Sequence, residues 1–523
     1  MSVEDDALKT VGPRTSGLDI ASALDDALRF RDWPKVTKLL LHAPLSLVHA
    51  PGGLSQIQLA IEQMPTDFRN AQPDLRFLLE FTGLVPISNS RFQDIDRLFS
   101  GPPNTRAVLV RGLTISLITR RMNGRIDEAL EVAELAEDLV LVEANRIGSA
   151  AEGAASAYFA QAAKTHLLAG NHTKALDAYL QAWKWRHQDE LGFIAHEAAG
   201  NIALIHALAG RLEQGKEWVA RSQAWSSSIS PDYSPVVEFA APLAAFIIAF
   251  EELDLLKAKA LLPDLAQPTH GFEFYHLVAE ARARFLLLSG QAPQAQQQIS
   301  EASHWLPQDT LRCLNTDTLI SRSDLKEASV QLEMIHEPAI VHLFRARIAA
   351  LHGEYQVSLD ELASGAIHAT DRTKLDYLLL QATSQLALGM RTEARGTFES
   401  LLTHLNGCIA VFTSGSEEAI RALFDLIPES PRTNAIYEKW ASSGVGPSLL
   451  FPEGIARAPM AGLTSRELVI LKQLLRGSSR KEVAARESVS LNTVKTQSRS
   501  AFRKLGVSTV QEARTKGIEL GII

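Results

Sequence analysis

Twelve Lys and Arg side chains against five Asp and Glu fall within residues 459–523, a local charge of +7 in a chain of net charge −8. The remaining residues therefore carry −15. The chemistry open to such a cluster is the binding of a polyanion: a basic segment on an acidic body is the electrostatic footprint of a nucleic-acid-binding module. The acidic body would repel phosphates and confine contact to the tail. Charge alone leaves the plainer reading open, that of a solvated basic face.

A second group of residues could hold a ligand. Trp183, Trp185, Trp218 and Trp225 are four of the seven tryptophans and stand close to Tyr179, Arg186 and His187. Aromatic faces beside a cation can line a concave site for a small molecule or a peptide. The alternative is ordinary packing between neighbouring helices. No arrangement for catalysis stands out. His196-Glu197 has no second histidine at position 200, so it is not a zinc-binding HExxH. No Gly-x-Ser-x-Gly elbow and no Gly-x4-Gly-Lys-Ser/Thr phosphate loop occurs. Cys313 and Cys408 belong to no CxxC or Cys/His cluster and read as buried thiols in a reducing cytoplasm. Neither an enzyme nor a cofactor or metal site is expected.

The basic tail has the punctuation of four helices. Thr464 and Glu467 have the spacing of a capping box, in which each side chain satisfies a free backbone N–H of the first turn. Leu468, Ile470-Leu471 and Leu474-Leu475 follow at helical spacing, and Gly477 closes the helix. Ser479 and Glu482 form a second box, opening a short helix through Val483, Ala484 and Ala485. After a turn at Ser488 to Ser490, Ser490 caps a third helix over Leu491 to Leu505, closed by Gly506, and a fourth runs on from about Val510. A short helix, a tight turn and a longer polar-faced helix is the helix-turn-helix arrangement.

The run Leu463-Thr464-x-Arg466-Glu467, Gly477-x-Ser479-x-Lys481-Glu482-Val483-Ala484, Ser490-x-x-Thr493-Val494-Lys495 and Lys504-Leu505-Gly506-Val507 resembles the LuxR/FixJ-type DNA-binding domain over about 60 residues. Two positions depart from its pattern: Glu487 stands where leucine is usual, and Gln497 where histidine is usual. The first is expected to loosen packing at the end of the second helix, the second to alter a backbone or base contact. The resemblance implies that Lys495, Thr496 and Arg499 face base edges, and their spacing on one helix face, away from Val494 and Phe502, agrees with it. Ser479, Arg480, Lys481, Thr493 and Arg503 are then expected at phosphates. Domains of this type usually pair on inverted half-sites, so the fourth helix is expected to present Val510, Ala513, Gly517 and Ile518, with Leu520 and Ile522-Ile523, for a homodimer on double-stranded DNA. The alternative is that these residues pack within their own domain.

Before residue 450 the chain repeats itself. Six glycines are followed five residues later by a small residue: Gly124/Ala129, Gly170/Ala175, Gly210/Gly215, Gly290/Ala295, Gly353/Ser358 and Gly389/Ala394. In five of these an alanine lies seven residues before the glycine, at Ala163, Ala203, Ala283, Ala346 and Ala382. Leu253/Ala258 reads as a degenerate seventh copy, and Ala21 to Leu41 as a hairpin about Asp32-Trp33. A glycine that ends one helix, with small residues on both helices, makes a close antiparallel pair, and such pairs stack because each leaves an apolar face uncovered. The pattern resembles the tetratricopeptide repeat, with spacings longer than that repeat's and one gap of 63 residues from Gly290 to Gly353.

The expected architecture is all-α: a tetratricopeptide-like α-solenoid over 1–445, a Gly/Pro-rich linker over 446–460, and a helix-turn-helix domain over 461–523. Leu449-Leu450-Phe451 in the linker is apolar enough to dock on a groove of the solenoid. The whole is similar to the C-terminal part of MalT-like regulators without their ATPase. That resemblance implies a cytoplasmic transcription regulator whose body senses a small molecule or a protein and which can engage RNA polymerase. The rival expectation is a protein-interaction scaffold with a vestigial or dimerising tail.

Overall fold

In the computed structural model, which describes residues 17–42, 44–49, 52–72, 75, 103–146, 152–188, 191–225, 235–265, 273–365, 371–443, 465–487, 489–505, 507 and 509–519, one backbone event recurs. A residue at positive φ ends a helix at Arg31, Gly124, Gly170, Gly210, Leu253, Gly290, Ser323, Gly353 and Gly389. At each, its N–H donates to the carbonyl three residues back, and the next N–H donates to the carbonyl five back; at Gly170 the two bonds are 3.1 Å to Leu167 and 2.8 Å, from Asn171, to His166. This double bond satisfies carbonyls that a helix end leaves open, and it starts the chain back the other way.

The flanking positions obey one rule. Five residues after each turn residue stand Val36, Ala129, Ala175, Gly215, Ala258, Ala295, Ala328, Ser358 and Ala394; seven before it stand Leu24, Leu117, Ala163, Ala203, Phe246, Ala283, Thr316, Ala346 and Ala382. Every one of them is buried. The turn at Leu253 bears out the degenerate copy. The turn at Ser323, followed by Ala328, fills the 63-residue gap that glycines alone leave. The turn at Arg31 is the hairpin expected about Asp32-Trp33.

The described part of the chain divides into two compact units, 1–248 with 261–275, and 249–260 with 276–523. The first holds α1 (Gly17–Arg29) and α2 (Trp33–His42), α3 (Pro103–Met122) and α4 (Ile126–Ala144), α5 (Glu152–Leu168) and α6 (His172–Lys184), and α7 (Ile194–Leu208) and α8 (Leu212–Trp225). Leu24, Leu28, Val36 and Leu40 close the first hairpin onto Ile57, Ala60 and Ile61 of a following helix. Helix α5 is rich in alanine, and its Ala154, Ala155, Ala157, Ala160, Ala162 and Ala163 are all buried, so its neighbours can approach closely. The charges buried between these helices are paired. Arg121 of α3 bonds Gln161 Oε1 at 2.6 Å and Thr165 Oγ1 at 3.1 Å on α5, and Glu273 Oε1 at 3.1 Å. Lys164 of α5 forms an ion pair with Glu197 of α7. Unpaired, such buried charges would cost several kcal/mol each, on the order of 3–5.

The second unit continues the pattern. The helix α9 (Ala240–Glu251), which carries the longest apolar run and belongs to the first unit as far as Ile248, turns at Leu253 into α10 (Leu255–Leu261). There follow α11 (Tyr275–Leu288) and α12 (Ala292–Ala302), α13 (Gln308–Ser321) and α14 (Leu325–Leu332), α15 (Pro338–Leu351) and α16 (Tyr355–Gly365), and α17 (Asp371–Ala387) and α18 (Arg391–His404). Ile320, Leu325, Ala328, Leu332, Leu343, Phe344, Leu351, Leu362 and Leu380 make one core across three of these hairpins. Three charges occupy equivalent places, six residues before the turns at 290, 323 and 353: Arg284, Asp317 and Arg347. Arg347 Nη1 donates to Asp317 Oδ1 at 3.0 Å. Burial pushes the Asp317 carboxyl up, against the downward pull of Arg347 and then Arg284. The hairpins end on α19 (Glu417–Phe424) and α20 (Pro431–Ser442), the latter opened by a Ser430/Thr433 capping box. Rings of Phe398, Phe412, Phe424, Tyr437 and Trp440 stack edge to face through this end.

Every regular element among the described residues is helical, and none of their helices is long and apolar enough to cross a membrane. The fold is all-α: tetratricopeptide-like hairpins, then a small four-helix tail. The expected linker at 446–460, with Leu449-Leu450-Phe451, lies outside the described residues.

Candidate nucleic-acid interface

The tail is built from α21 (Ser465–Leu475), α22 (Arg480–Arg486), α23 (Leu491–Leu505) and α24 (Val510–Glu519). Its sequence dictates where each begins and stops. Gly477, at φ 96°, ends α21 with the same pair of bonds as the body's turns, Gly477 N to Leu474 O at 3.1 Å and Ser478 N to Gln473 O at 3.0 Å. The second capping box is formed: Ser479 N donates to Glu482 Oε2 at 2.7 Å, and Glu482 N to Ser479 Oγ at 3.3 Å. Hydrogen bonding from the Ser479 backbone N–H, and then from its side chain, holds the exposed Glu482 carboxyl below its ordinary range. Ser490 Oγ accepts from Thr493 N at 3.0 Å and caps α23. Thr509 Oγ1 accepts from Glu512 N at 3.1 Å and caps α24. Thr464, Ser488 and Gly506, each given a capping or turning role above, lie outside the described residues.

Two small cores lock the helices together. Ile470 and Leu474 of α21 meet Val483 of α22 and Val494 of α23. Leu471 and Leu475 meet Ala501, Phe502 and Leu505 of α23 and Ala513 of α24. Ala513 was expected on an exposed dimer face; it is instead buried in its own domain. Its neighbour Val510 is exposed, and the side chains from 515 onward, Gly517, Ile518, Leu520 and Ile522-Ile523 included, lie outside the described residues.

Two polar ties then fix α23 and α22 on α21. Lys504 Nζ donates to the buried Glu467 at 2.7 Å, joining the far end of α23 to the start of α21. Glu487, standing where leucine is usual, accepts a hydrogen bond from Gln473 Nε2. The expected loosening at this position is therefore offset by a side-chain bond between the same two helices.

What remains outside is one polar face of α23. Val494, Ser498, Ala501, Phe502 and Leu505 point inward, while Lys495, Thr496, Arg499 and Arg503 are exposed. Lys495 and Arg499 form no ion pair among the described residues. Thr496 Oγ1 donates to Asn492 O at 3.0 Å, so its hydroxyl is committed to the helix and its methyl is left as a contact group. Ser479, Arg480 and Lys481 are exposed at the start of α22, and Thr493 at the start of α23, where its hydroxyl also meets Ser490 Oγ at 2.8 Å. Backbone N–H groups and cations gathered at two helix starts suit phosphate oxygens. Gln497 is half-buried. Asn492, which sequence reasoning passed over, is exposed on the same face. Its helical spacing from Lys495, Thr496 and Arg499 was the signal that could have found it.

The aromatic group in the first unit is a different kind of arrangement. Trp183 meets Trp218 and Trp225 edge on, with ring centroids 5.2 and 6.2 Å apart, and His187 stands 5.7 Å from Trp225. Arg186 lies over Trp183 at 4.3 Å and Arg221 over Trp218 at 4.3 Å. One face of Trp183 and one of Trp218 are thus taken by the chain's own guanidinium groups. Trp185 stands apart, with Lys184 at 5.0 Å from its ring. Tyr179 is fully buried, and burial pushes its hydroxyl well up, with the Glu197 carboxylate adding to the effect. The structure brings Trp183, Trp218, Trp225 and Arg186 together where the end of α6 meets α8, and leaves Tyr179 and Trp185 out of that ring cluster.

Fold and interface define a class: helical-repeat proteins that carry a helix-turn-helix tail. Residues 461–515 match the family described as bacterial regulatory proteins, luxR family, about a tenth of the chain. The chain is also similar to the HTH-type transcriptional regulator AlkS of Alcanivorax borkumensis, 27% identical over 233 residues that cover 38% of this chain. The match spans about a quarter, 26%, of that relative's length. Among solved structures, the APC/C hetero-tetramer Cut9-Hcn1 covers 99% of the chain at 11% identity with a TM-score of 0.39. The reading of the body as stacked hairpins rests on its repeated turns and not on that likeness. The tail is thus similar to a family of bacterial regulatory proteins, and part of the chain to a transcriptional regulator.

Proposed function

We propose that this protein is a transcription regulator that reads promoter DNA with α23 in the major groove, while its hairpin body senses a small molecule or a protein partner. The observation that carries the proposal is the exposed face of α23, where Lys495, Thr496 and Arg499 stand together on a helix fixed by two cores and the Lys504–Glu467 tie. Lys and Arg pair with guanine O6 and N7, and a threonine methyl can contact thymine. Ser479, Arg480, Lys481, Thr493 and Arg503 hold phosphates and set the register. The tail, 461–523, acts as a separate domain behind the 446–460 linker. It binds as a homodimer on paired half-sites in the cytoplasm, where it can meet RNA polymerase.

Binding of the full chain to duplex DNA from upstream of its own gene, followed by fluorescence anisotropy at two salt concentrations, tests this. Neutralised phosphates release counterions, so log affinity should fall linearly with log salt. No detectable binding at low salt would overturn the proposal.

A further inference from the structure

We infer that Asn492 is a further base-reading residue of this protein and that it selects adenine. The inference rests on the major-groove reading proposed above and extends it to a residue that the charge pattern does not reveal.

On an α-helix the direction of a side chain follows from its place in the sequence. Successive residues turn by about 100°. Relative to Asn492, Arg499 lies about 20° to one side and Lys495 about 60°, while Thr496 lies about 40° to the other. Asn492 therefore sits inside the arc spanned by the three side chains already placed at base edges. Thr493, about 100° away, falls outside that arc and its hydroxyl is engaged with Ser490. Asn492 is also the first exposed residue of α23, and recognition helices meet base edges mainly through their N-terminal residues.

Its chemistry is distinct on this face. Lys495 and Arg499 only donate. Thr496 has spent its hydroxyl on the carbonyl of Asn492 itself. The Asn492 side chain has no hydrogen-bond partner among the described residues. The capping role open to an asparagine near a helix start is already filled by Ser490, which accepts from Thr493 N at 3.0 Å. What is left is a primary amide that presents a donor and an acceptor side by side. Adenine offers the complement, with its N6 amino group and its N7. The two cations read guanine, and the amide reads adenine next to them.

The test is selection of bound duplexes from a random pool by the full chain, followed by sequencing, for the unchanged protein and for Asn492→Ala, Asn492→Gln and Asn492→Arg. The unchanged protein should enrich a motif with one strongly preferred adenine per half-site. In Asn492→Ala that single position should flatten, with discrimination falling about 5- to 150-fold and neighbouring positions kept. Asn492→Gln should retain adenine, and Asn492→Arg should move the position toward guanine. Because the side chain is exposed, thermal unfolding should not change, which separates a reading role from a folding one. An unaltered motif in all three variants, or an equal loss of affinity for every sequence, would overturn the inference while leaving DNA binding intact. Failure of the unchanged protein to enrich any sequence would instead overturn the reading on which it rests.

Discussion

At the residue scale, the division of labour on the tail makes a direct prediction. Lys495→Ala and Arg499→Ala should each lose about 1–3 kcal/mol of discrimination between the preferred site and a mismatched one. Lys481→Ala should weaken all DNA alike and reduce the salt slope by about 1. Competition binding at several salt concentrations separates the two patterns, and a common ratio of specific to non-specific loss would contradict the assignment. Part of this face was legible in the sequence because caps and buried positions of α23 fix its rotation: once Val494 and Phe502 are inward, Lys495 and Arg499 must be outward. Asn492 was not, because an uncharged residue leaves no mark in a charge count. The aromatic group was legible only as a cluster. Whether rings face a ligand or each other depends on the rotamers of Arg186 and Arg221, which no spacing encodes. Another residue carries a pH signature. Arg211 Nε donates to His206 Nδ1 at 2.9 Å, and burial, then Arg211, lower the histidine from 6.5 to about 4. Its folded pKa is below its unfolded one, so the unfolded chain takes up the proton first. This contribution to stability is present above about 6.5 and lost as pH falls from there to about 4. His206→Gln, whose amide oxygen can still accept from Arg211, should shallow the acid side of a melting-temperature profile. An unchanged profile would show that the pair plays no such part.

At the scale of elements, the hairpin is defined by a backbone conformation, and glycine is only its commonest carrier. Gly170 and Gly389 announce the turn; Arg31, Leu253 and Ser323 adopt it without announcing it. A reading by glycines therefore finds most of the hairpins and leaves a gap where Ser323 stands. The better signal is the buried pair around the turn, such as Thr316 and Ala328, because close helix packing restricts those positions whichever residue makes the bend. The prediction is that Ser323→Gly stabilises the second unit by about 0.5–1 kcal/mol, since the exposed serine holds a left-handed φ of 60° that favours glycine. Leu253→Gly should not do so, because Leu253 is buried and the lost packing outweighs the relief. Gly353→Ala should cost about 1–2 kcal/mol through its φ of 81°, which an alanine Cβ disfavours. Urea unfolding of the three variants ranks them; equal stabilities for Ser323→Gly and Gly353→Ala would refute the conformational argument.

At the scale of the whole molecule, charge is divided as sharply as structure. The sequence places +7 on residues 459–523 and −15 on the rest. An acidic body tethered to a basic tail lowers the potential that a distant phosphate feels, and salt screens that effect within about 8–10 Å at ordinary ionic strength. The 461–523 segment on its own should therefore bind non-specific duplex more tightly than the full chain at low salt, with the difference closing as salt rises. A circular-dichroism check that the segment is helical belongs with that titration, and a salt-independent difference would assign the effect to contact rather than field. The row of Arg284, Asp317 and Arg347 bears on a different question, the way such a chain can change over generations. Stacked repeats commonly gain or lose a whole unit by unequal recombination, and neighbours close over the gap. Here the excision of the α13–α14 hairpin would put Arg284, which keeps Glu280 of its own helix at 3.0 Å, at the place next to Arg347, whose carboxylate partner Asp317 would be gone. By that count, deleting α13–α14 alone should strand the buried Arg347, so the length of this stretch should behave as a fixed word rather than as an adjustable count.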